Sequence, residues 1–239
     1  MVNAHFAIAI DGPAGAGKSV FGAALASALQ AICIDSGIVY RAVTWIAITR
    51  GLDPDHDATL GPVAASMNLQ IIPPTVQDGR QFTILIDGED VTWELRTPDV
   101  DRTVSRPSAL PGVRSAVTEQ LRHLARGARV VMVGRDIGTV VLPDADVKFY
   151  VTATPETRAR RRADELHARG KEAVVADILR SIIERDARDS GRVTAPLRPA
   201  DDAIHLETDN LTVDAEVAFA LDVVQRTLRS ANALETNDV

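Results

Sequence analysis

Short apolar segments alternate with longer amphipathic segments along most of the 239-residue chain. Five apolar segments have the length of a β-strand, and they lie at about 6–11, 31–34, 129–133, 147–151 and 203–206. The segments between them carry apolar residues at three- and four-residue spacing, which is typical of helices. Continuous apolar strands that alternate with helices favour a buried parallel sheet. We therefore predict an α/β fold, with a parallel five-stranded sheet and helices on both of its faces.

The hydrophobic period changes between residues 67 and 96. Strand-like segments at 69–72 and 82–86 lie close together, and Asp87-Gly88 after the second is a typical hairpin signal. Such a unit is too small to fold alone. We predict a small antiparallel β insertion at 67–96 within a core domain formed by residues 1–66 and 97–239.

The first apolar segment leads into GPAGAGKS at residues 12–19, which fits the phosphate-binding pattern G-x-x-x-x-G-K-[ST]. Its glycines allow positive φ angles, and backbone amides at a helix start attract phosphate. Lys18 can reach the β- and γ-phosphates of a nucleotide, and the Ser19 hydroxyl can bind Mg²⁺. The pattern predicts a P-loop NTPase-type core. The alternative is a glycine-rich turn between a strand and a helix.

Arginines accumulate near the predicted strand ends and on the two helices after residue 154. A guanidinium binds phosphate bidentately and stays charged, so this distribution favours a phosphotransferase that holds two phosphates. Tyr40 and Arg41, close behind the second strand, are placed for an anionic group. The alternative there is N-capping by Asp35 or Ser36 with a surface salt bridge. For the arginines at 158–162, the alternative is a solvated helix face.

Charge and composition narrow the possible partners. The net charge of −7 argues against binding to a nucleic-acid polymer, whereas the arginine-rich segment 158–192 suits a small anionic ligand. No apolar run approaches the length of a membrane span, and the N-terminus lacks the features of a signal peptide. We expect a cytoplasmic monomer without membrane association. The single cysteine, Cys33, is expected to be a small apolar residue of a strand.

Four ordered segments of the chain together resemble the bacterial-type cytidylate kinases, a family of nucleoside monophosphate kinases. They are GPAGAGKS at 12–19, DSGIVYR at 35–41, GRDIGTVV at 134–141 and RDARDSGRVTAPL at 185–197. The resemblance implies transfer of a phosphoryl group from ATP to CMP or dCMP, giving ADP and CDP or dCDP, with Mg²⁺. It also implies that 67–96 is the extra lobe of the monophosphate-binding region and that 158–170 is a mobile helical lid.

The resemblance implies a role for individual residues. ATP is expected to bind Gly12, Pro13, Ala14, Gly15, Ala16, Gly17, Lys18, Ser19 and Val20, with Mg²⁺ on Ser19. Phosphoryl transfer is expected to involve Lys18, Arg135, Arg158, Arg162, Arg185 and Arg192. The acceptor nucleotide is expected to contact Asp35, Ser36, Tyr40, Arg41, Ser105, Arg114, Arg135, Asp136, Arg185, Asp189 and Arg192.

Three residues of that set, Ser105, Arg114 and Asp136, are expected to read the base. These residue types suit cytosine, because an arginine can donate hydrogen bonds to its O2 and N3 and a carboxylate can accept one from its amine. A kinase for UMP, AMP or shikimate would share the loop and lid but would need a different acceptor pocket. A GTPase-like switch should carry N-K-x-D, which this sequence lacks.

Overall fold

The computed structural model describes residues 5–80, 82–168, 170, 172–192 and 194–235. The strands are β1 (Phe6–Asp11), β2 (Ile32–Asp35), β3 (Leu69–Ile72), β4 (Thr83–Ile86), β5 (Glu89–Asp90), β6 (Arg129–Val133), β7 (Val147–Thr152) and β8 (Ile204–Glu207). The α-helices are α1 (Lys18–Ala28), α2 (Ser36–Thr49), α3 (Asp57–Ser66), α4 (Pro98–Thr103), α5 (Pro111–Ala125), α6 (Pro155–Ala168), α7 (Val175–Ser190) and α8 (Val213–Glu235). None of the described helices is long and apolar enough to cross a membrane.

A five-stranded sheet forms the centre of the first compact unit, which comprises residues up to 35 and from 124 onward. Its strand order is β2-β6-β1-β7-β8, and all neighbouring pairs are parallel. The five core strands were predicted to within about one residue at each end. The α/β prediction is therefore confirmed.

The alternating side chains of β1 explain the position of the core. Phe6, Ile8 and Ile10 lie on one face of the sheet and pack into a buried cluster with residues of α1 and α8. Within that cluster the rings of Phe21 and Phe149 meet edge to face at 5.9 Å. The residue after Ile10 is Asp11, so the apolar side chains of β1 are followed by a carboxylate at the carboxyl end of the strand. Cys33 packs against the same cluster and is half-buried.

The second compact unit comprises residues 36–123. It holds an antiparallel three-stranded sheet of order β3-β4-β5, with Leu69 opposite Ile86. Asp87 and Gly88 have positive φ angles of 52° and 86°, as a tight hairpin between β4 and β5 requires. The predicted antiparallel unit is confirmed, and it lies inside the second compact unit. The boundaries at 67 and 96 stay a prediction.

Three local features shape the segments around the sheet. Helix α2 begins at Ser36, directly after β2. The Thr97 hydroxyl, at the start of α4, donates to the Glu94 carbonyl and does not cap the helix. A π-helical segment, Ile137–Val141, follows β6. Of the predicted core and lid, residues 1–4, 169, 171, 193 and 236–239 lie outside the described residues.

Candidate active site

The phosphate-binding loop joins β1 to α1 and has the expected backbone. Gly12, Gly15 and Gly17 all have positive φ angles, of 145°, 78° and 92°. At Gly12 a Cβ atom would lie 2.0 Å from the carbonyl oxygen of Val151, so no other residue can take this place. Gly17 accepts the first backbone hydrogen bonds of α1, from Val20 and Phe21. The loop amides therefore stand at a helix N-terminus, where anions are favoured.

Lys18 lies half-buried against this loop, and its Nζ donates to the Pro13 carbonyl at 2.7 Å. The pKa of Lys18 is lowered to about 7, mainly by burial and next by the nearby positive charge of Arg135. Arg185 of α7 acts in the same direction, whereas the carboxylates of Asp35 and Asp11 oppose it. Three predicted catalytic residues, Lys18, Arg135 and Arg185, thus share one electrostatic environment. A phosphate anion placed there would relieve their mutual repulsion.

Ser19 and Asp35 form a second polar pair beside the loop. The Ser19 hydroxyl donates to Oδ2 of Asp35 at 2.7 Å. Asp35 is the last residue of β2, next to β6 in the sheet, so both groups lie at the carboxyl edge of the strands. A hydroxyl and a carboxylate are hard oxygen ligands of the kind that Mg²⁺ prefers. The sequence assigned Asp35 to the acceptor nucleotide, and its contact with Ser19 adds a possible role beside the metal.

Asp189, on α7, holds two of the predicted acceptor-binding arginines. It is 1% exposed, and its Oδ2 lies 2.7 Å from Nε of Arg135 while its Oδ1 lies 2.6 Å from Nη2 of Arg192. A buried carboxylate needs such partners, since an unpaired charge in the interior is costly. Asp189 therefore orients both guanidinium groups, and direct contact with the sugar stays a prediction.

The arginines of the predicted lid helix α6 have different surroundings. Arg158 is 3% exposed; it donates to the carbonyls of Ala153 and Ala14, both at 3.0 Å, and pairs with Asp186 of α7. Arg162 lies on the surface, where it pairs with Glu165 one turn further along. Arg158 thus braces the phosphate loop. Contact of either arginine with a transferred phosphate stays a prediction.

Two further residues lie beside the loop: Thr208, which the sequence did not single out, and Arg161, which it placed only among the arginines at 158–162. Thr208, fully buried directly after β8, donates to the carbonyl of Ala16 at 3.2 Å. Arg161 of α6 donates to the Thr208 hydroxyl at 3.0 Å and to its carbonyl at 2.6 Å. Their signal was present, because residues just beyond the carboxyl ends of parallel strands surround ligands in open α/β sheets.

The predicted base-reading residue Asp136 follows β6 and is 4% exposed. It lies close enough to Asp11 for its charge to raise the pKa of that carboxyl. Burial is the larger cause and brings the pKa of Asp11 to about 6, against the lowering effect of two backbone hydrogen bonds. Asp11 was not among the predicted site residues, although it directly precedes Gly12.

The second compact unit carries the other predicted acceptor residues. Arg114 is 5% exposed; it donates to the Ser108 carbonyl at 2.9 Å and lies over the ring of Tyr40, 5.5 Å from its centre. Ser108 in turn donates to the Ser105 carbonyl at 3.3 Å. The structure therefore brings Tyr40, Ser105 and Arg114 together.

Two more acceptor candidates lie on α2 of the same unit. Arg41 pairs with Asp101 at 2.6 Å and donates to the Leu95 carbonyl at 2.9 Å. These contacts tie α2 to the segment around α4. Ser36, the first residue of α2, is 5% exposed.

The chain matches known proteins over most of its length. The family profile described as Cytidylate kinase matches residues 8–226. Cytidylate kinase of Chloroflexus aggregans is 47% identical over 228 residues, which are 95% of this chain and 96% of that protein. Cytidylate kinase of Roseiflexus castenholzii is 42% identical over 221 residues, which are 92% of this chain and 94% of that protein.

The fold has solved counterparts as well. An uncharacterized protein from Eubacterium ventriosum matches with a TM-score of 0.51 at 11% identity, covering 92% of this chain and 99% of that one. At this identity the likeness concerns the fold alone. The family profile covers most of the chain, so the resemblance read from the motifs is confirmed. The chain belongs to the cytidylate kinase family, and its activity is that of an ATP-using cytidylate kinase.

Proposed function

We propose that the enzyme transfers the γ-phosphoryl group of Mg²⁺-bound ATP to CMP or dCMP, and that the groups around Lys18 carry out the transfer. The observation that best supports this is the convergence of Lys18, Arg135 and Arg185 beside the phosphate loop. Their positive charges suit the equatorial oxygens of a phosphoryl group in transfer, where negative charge must be stabilised.

The transfer itself needs no strong base. A phosphate oxygen of CMP attacks the γ-phosphorus, a new oxygen–phosphorus bond forms, and the bond to the β,γ-bridging oxygen breaks with its electrons going to ADP. The acceptor phosphate is largely ionised near neutral pH and is already a nucleophile. Positioning and charge stabilisation by Lys18, Arg135 and Arg185 therefore supply the rate.

We infer that Mg²⁺ is held by Ser19 and Asp35. The 2.7 Å contact between their oxygens supports this, because a hydroxyl and a carboxylate at one strand edge fit the donor set of the ion. When bound, the ion neutralises charge on the β- and γ-phosphates. Asp35→Asn should then raise the Mg²⁺ concentration needed for half-maximal activity, whereas Asp53→Asn, an exposed site in a loop, should not change it.

Roles toward the acceptor nucleotide are proposed from the family pattern. Arg135 and Arg192, both held by Asp189, are proposed to bind the CMP phosphate, and Asp136 is proposed to accept from the cytosine amine. Arg158 and Arg162 are proposed to act on the transferred phosphate when the lid closes. The other proposed acceptor contacts are Ser36, Tyr40, Arg41, Ser105, Arg114, Arg185 and Asp189.

An acceptor panel tests the proposal directly. The purified enzyme with ATP and Mg²⁺ is offered CMP, dCMP, UMP, AMP and shikimate, and ADP release is measured. CMP or dCMP should have the highest kcat/KM, and Lys18→Ala should nearly abolish transfer. Preference for another acceptor, or near-normal turnover by Lys18→Ala, would overturn it. We also propose that the enzyme acts as a monomer, and analytical ultracentrifugation tests this.

A further inference from the structure

Asp11 holds the start of the segment that follows the predicted base-reading loop. It is the last residue of β1 and is 3% exposed, and each of its carboxylate oxygens accepts one backbone hydrogen bond. Oδ1 accepts from the amide of Ile137 and Oδ2 from the amide of Gly138, both at 2.7 Å. These amides begin the π-helical segment, where they have no partner within the segment itself. Asp11 therefore caps it with two charge-assisted hydrogen bonds.

A second contact ties the other end of the same loop to β1. The amide of Gly134 donates to the carbonyl oxygen of Ile10 at 2.9 Å. The two attachments, at Gly134 and at Ile137–Gly138, bracket Arg135 and Asp136. Both attachments are made by adjacent residues of the strand that leads directly into the phosphate loop.

Close packing at Gly138 allows little movement of this segment. A Cβ atom there would lie 3.0 Å from Cδ of Lys148 and 3.4 Å from Oδ2 of Asp11. The segment is therefore held between the carboxylate of Asp11 and the buried stem of Lys148. A displacement of Ile137 or Gly138 would be passed on to Asp136, which is the next residue toward the N-terminus.

We propose that Asp11 is a positioning residue for the acceptor nucleotide. By holding the amides of Ile137 and Gly138, it sets where Arg135 and Asp136 stand relative to the phosphate loop. This inference rests on the proposed roles of Arg135 and Asp136. Asp11 itself is buried, and its two carboxylate oxygens accept from the amides of Ile137 and Gly138, so its proposed action on the substrate goes through Arg135 and Asp136. Burying a carboxylate costs free energy. That cost is accounted for if Asp11 holds the residues that contact the substrate in place.

Asp11 could also affect activity through Lys18, and kinetic measurements distinguish this effect from positioning. The charge of Asp11 raises the pKa of Lys18, so its loss could weaken ATP binding through the lysine. That effect would appear in the KM for ATP. Displacement of Arg135 and Asp136 would appear in the KM for CMP. The two KM values therefore separate the routes.

The test compares Asp11→Asn and Gly138→Ala with the wild type in steady-state assays. Asparagine keeps the shape of aspartate, but its NH2 group would face one of the two backbone N–H groups and lose that hydrogen bond. Alanine at position 138 would displace the same segment through its contact with Lys148. Both should raise the KM for CMP by about tenfold, the effect of one lost buried hydrogen bond, with the KM for ATP changed by less than about twofold. Hydrogen exchange in residues 134–141 should become faster in both.

Asp146→Asn is the matched control. Its carboxylate also accepts a backbone hydrogen bond, from the amide of Ala7 in β1 at 2.8 Å, but near the opposite end of that strand. This variant should keep both wild-type KM values. A rise confined to the KM for ATP in Asp11→Asn would overturn the inference in favour of the lysine route. Wild-type KM values together with a lower melting temperature would overturn it in favour of a purely structural role.

The proposed role of Asp136 is tested separately. If Asp136→Asn leaves the KM for CMP unchanged, base reading by Asp136 is wrong. The positioning role of Asp11 is then judged by Arg135→Lys, which should raise the KM for CMP. If neither substitution raises it, both the proposed site and the inference fall.

Discussion

Arg158 and Ala14 are joined by a 3.0 Å hydrogen bond, from a guanidinium Nη1 on α6 to a main-chain carbonyl of the phosphate loop. The same guanidinium contacts both carboxylate oxygens of Asp186 on α7. One buried side chain thus links the nucleotide cradle to two helices. A neighbouring arginine on the same helix, Arg162, pairs with Glu165 at the surface.

Arg158→Met should therefore destabilise the protein far more than Arg162→Met. Loss of the buried Arg158 guanidinium removes the partner of Asp186 and two hydrogen bonds to main-chain carbonyls, which should cost about 3 kcal/mol. Loss of the Arg162–Glu165 surface pair should cost less than about 1 kcal/mol. Urea unfolding measures the free energy of both variants. Equal losses would show that the contacts of Arg158 contribute no more than a surface pair.

ATP binding should be coupled to proton uptake above neutral pH. The pKa of Lys18 is lowered to about 7 in the free protein, so the amine is largely neutral at higher pH. A bound phosphate favours the charged form and raises this pKa, so binding should take up nearly one proton at about pH 8 and fewer as the pH falls below 7. ATP affinity should accordingly weaken as the pH rises.

Titration calorimetry in buffers of different ionisation enthalpy measures this uptake. Lys18→Met is the control, because it lacks the titrating amine and should show little dependence on the buffer. Identical binding enthalpies for the wild type in all buffers at the higher pH would contradict a lowered pKa for Lys18.

Asp136→Asn should change the choice of base without affecting ATP. A carboxylate accepts from the cytosine amine, whereas an asparagine amide can donate to the uracil carbonyl at the same position. We expect kcat/KM for CMP to fall by about tenfold and the ratio of CMP to UMP activity to fall further. Steady-state assays with CMP and with UMP at saturating ATP measure both changes. Equal losses of CMP and ATP affinity would count against base reading.

Gly22→Ala should destabilise the protein although alanine is the better helix former. A Cβ atom at this buried position of α1 would lie 2.5 Å from Cγ2 of Val133 on β6. Overpacking of this kind costs about 1–3 kcal/mol, which exceeds the gain in helix propensity of about 1 kcal/mol. Thermal unfolding measures the loss, and Ser27→Ala on the exposed side of α1 is the control. Adding Val133→Ala should recover part of the lost stability, and a failure to do so would contradict this account.

The sequence by itself was sufficient for the strands, the phosphate loop and the family. The central strands β1 and β6 are nearly continuous apolar runs, so their burial on both faces of the sheet is visible in each segment separately, whereas the edge strands β2 and β8 are partly exposed. The loop is likewise local, because its glycines, lysine and serine stand within eight consecutive residues. Whether the residues assigned from the family pattern act as proposed is left to the experiments above.

The tertiary structure alone decided the partners of the long and charged side chains. Asp11 meets an amide 126 positions away, and Arg158 meets a carbonyl 144 positions away. An arginine on a helix pattern has the same sequence signature whether it faces solvent, like Arg162, or is buried against the phosphate loop, like Arg158. Periodicity records which face of an element is apolar, and only the packing of elements distant in the chain determines which charges meet there.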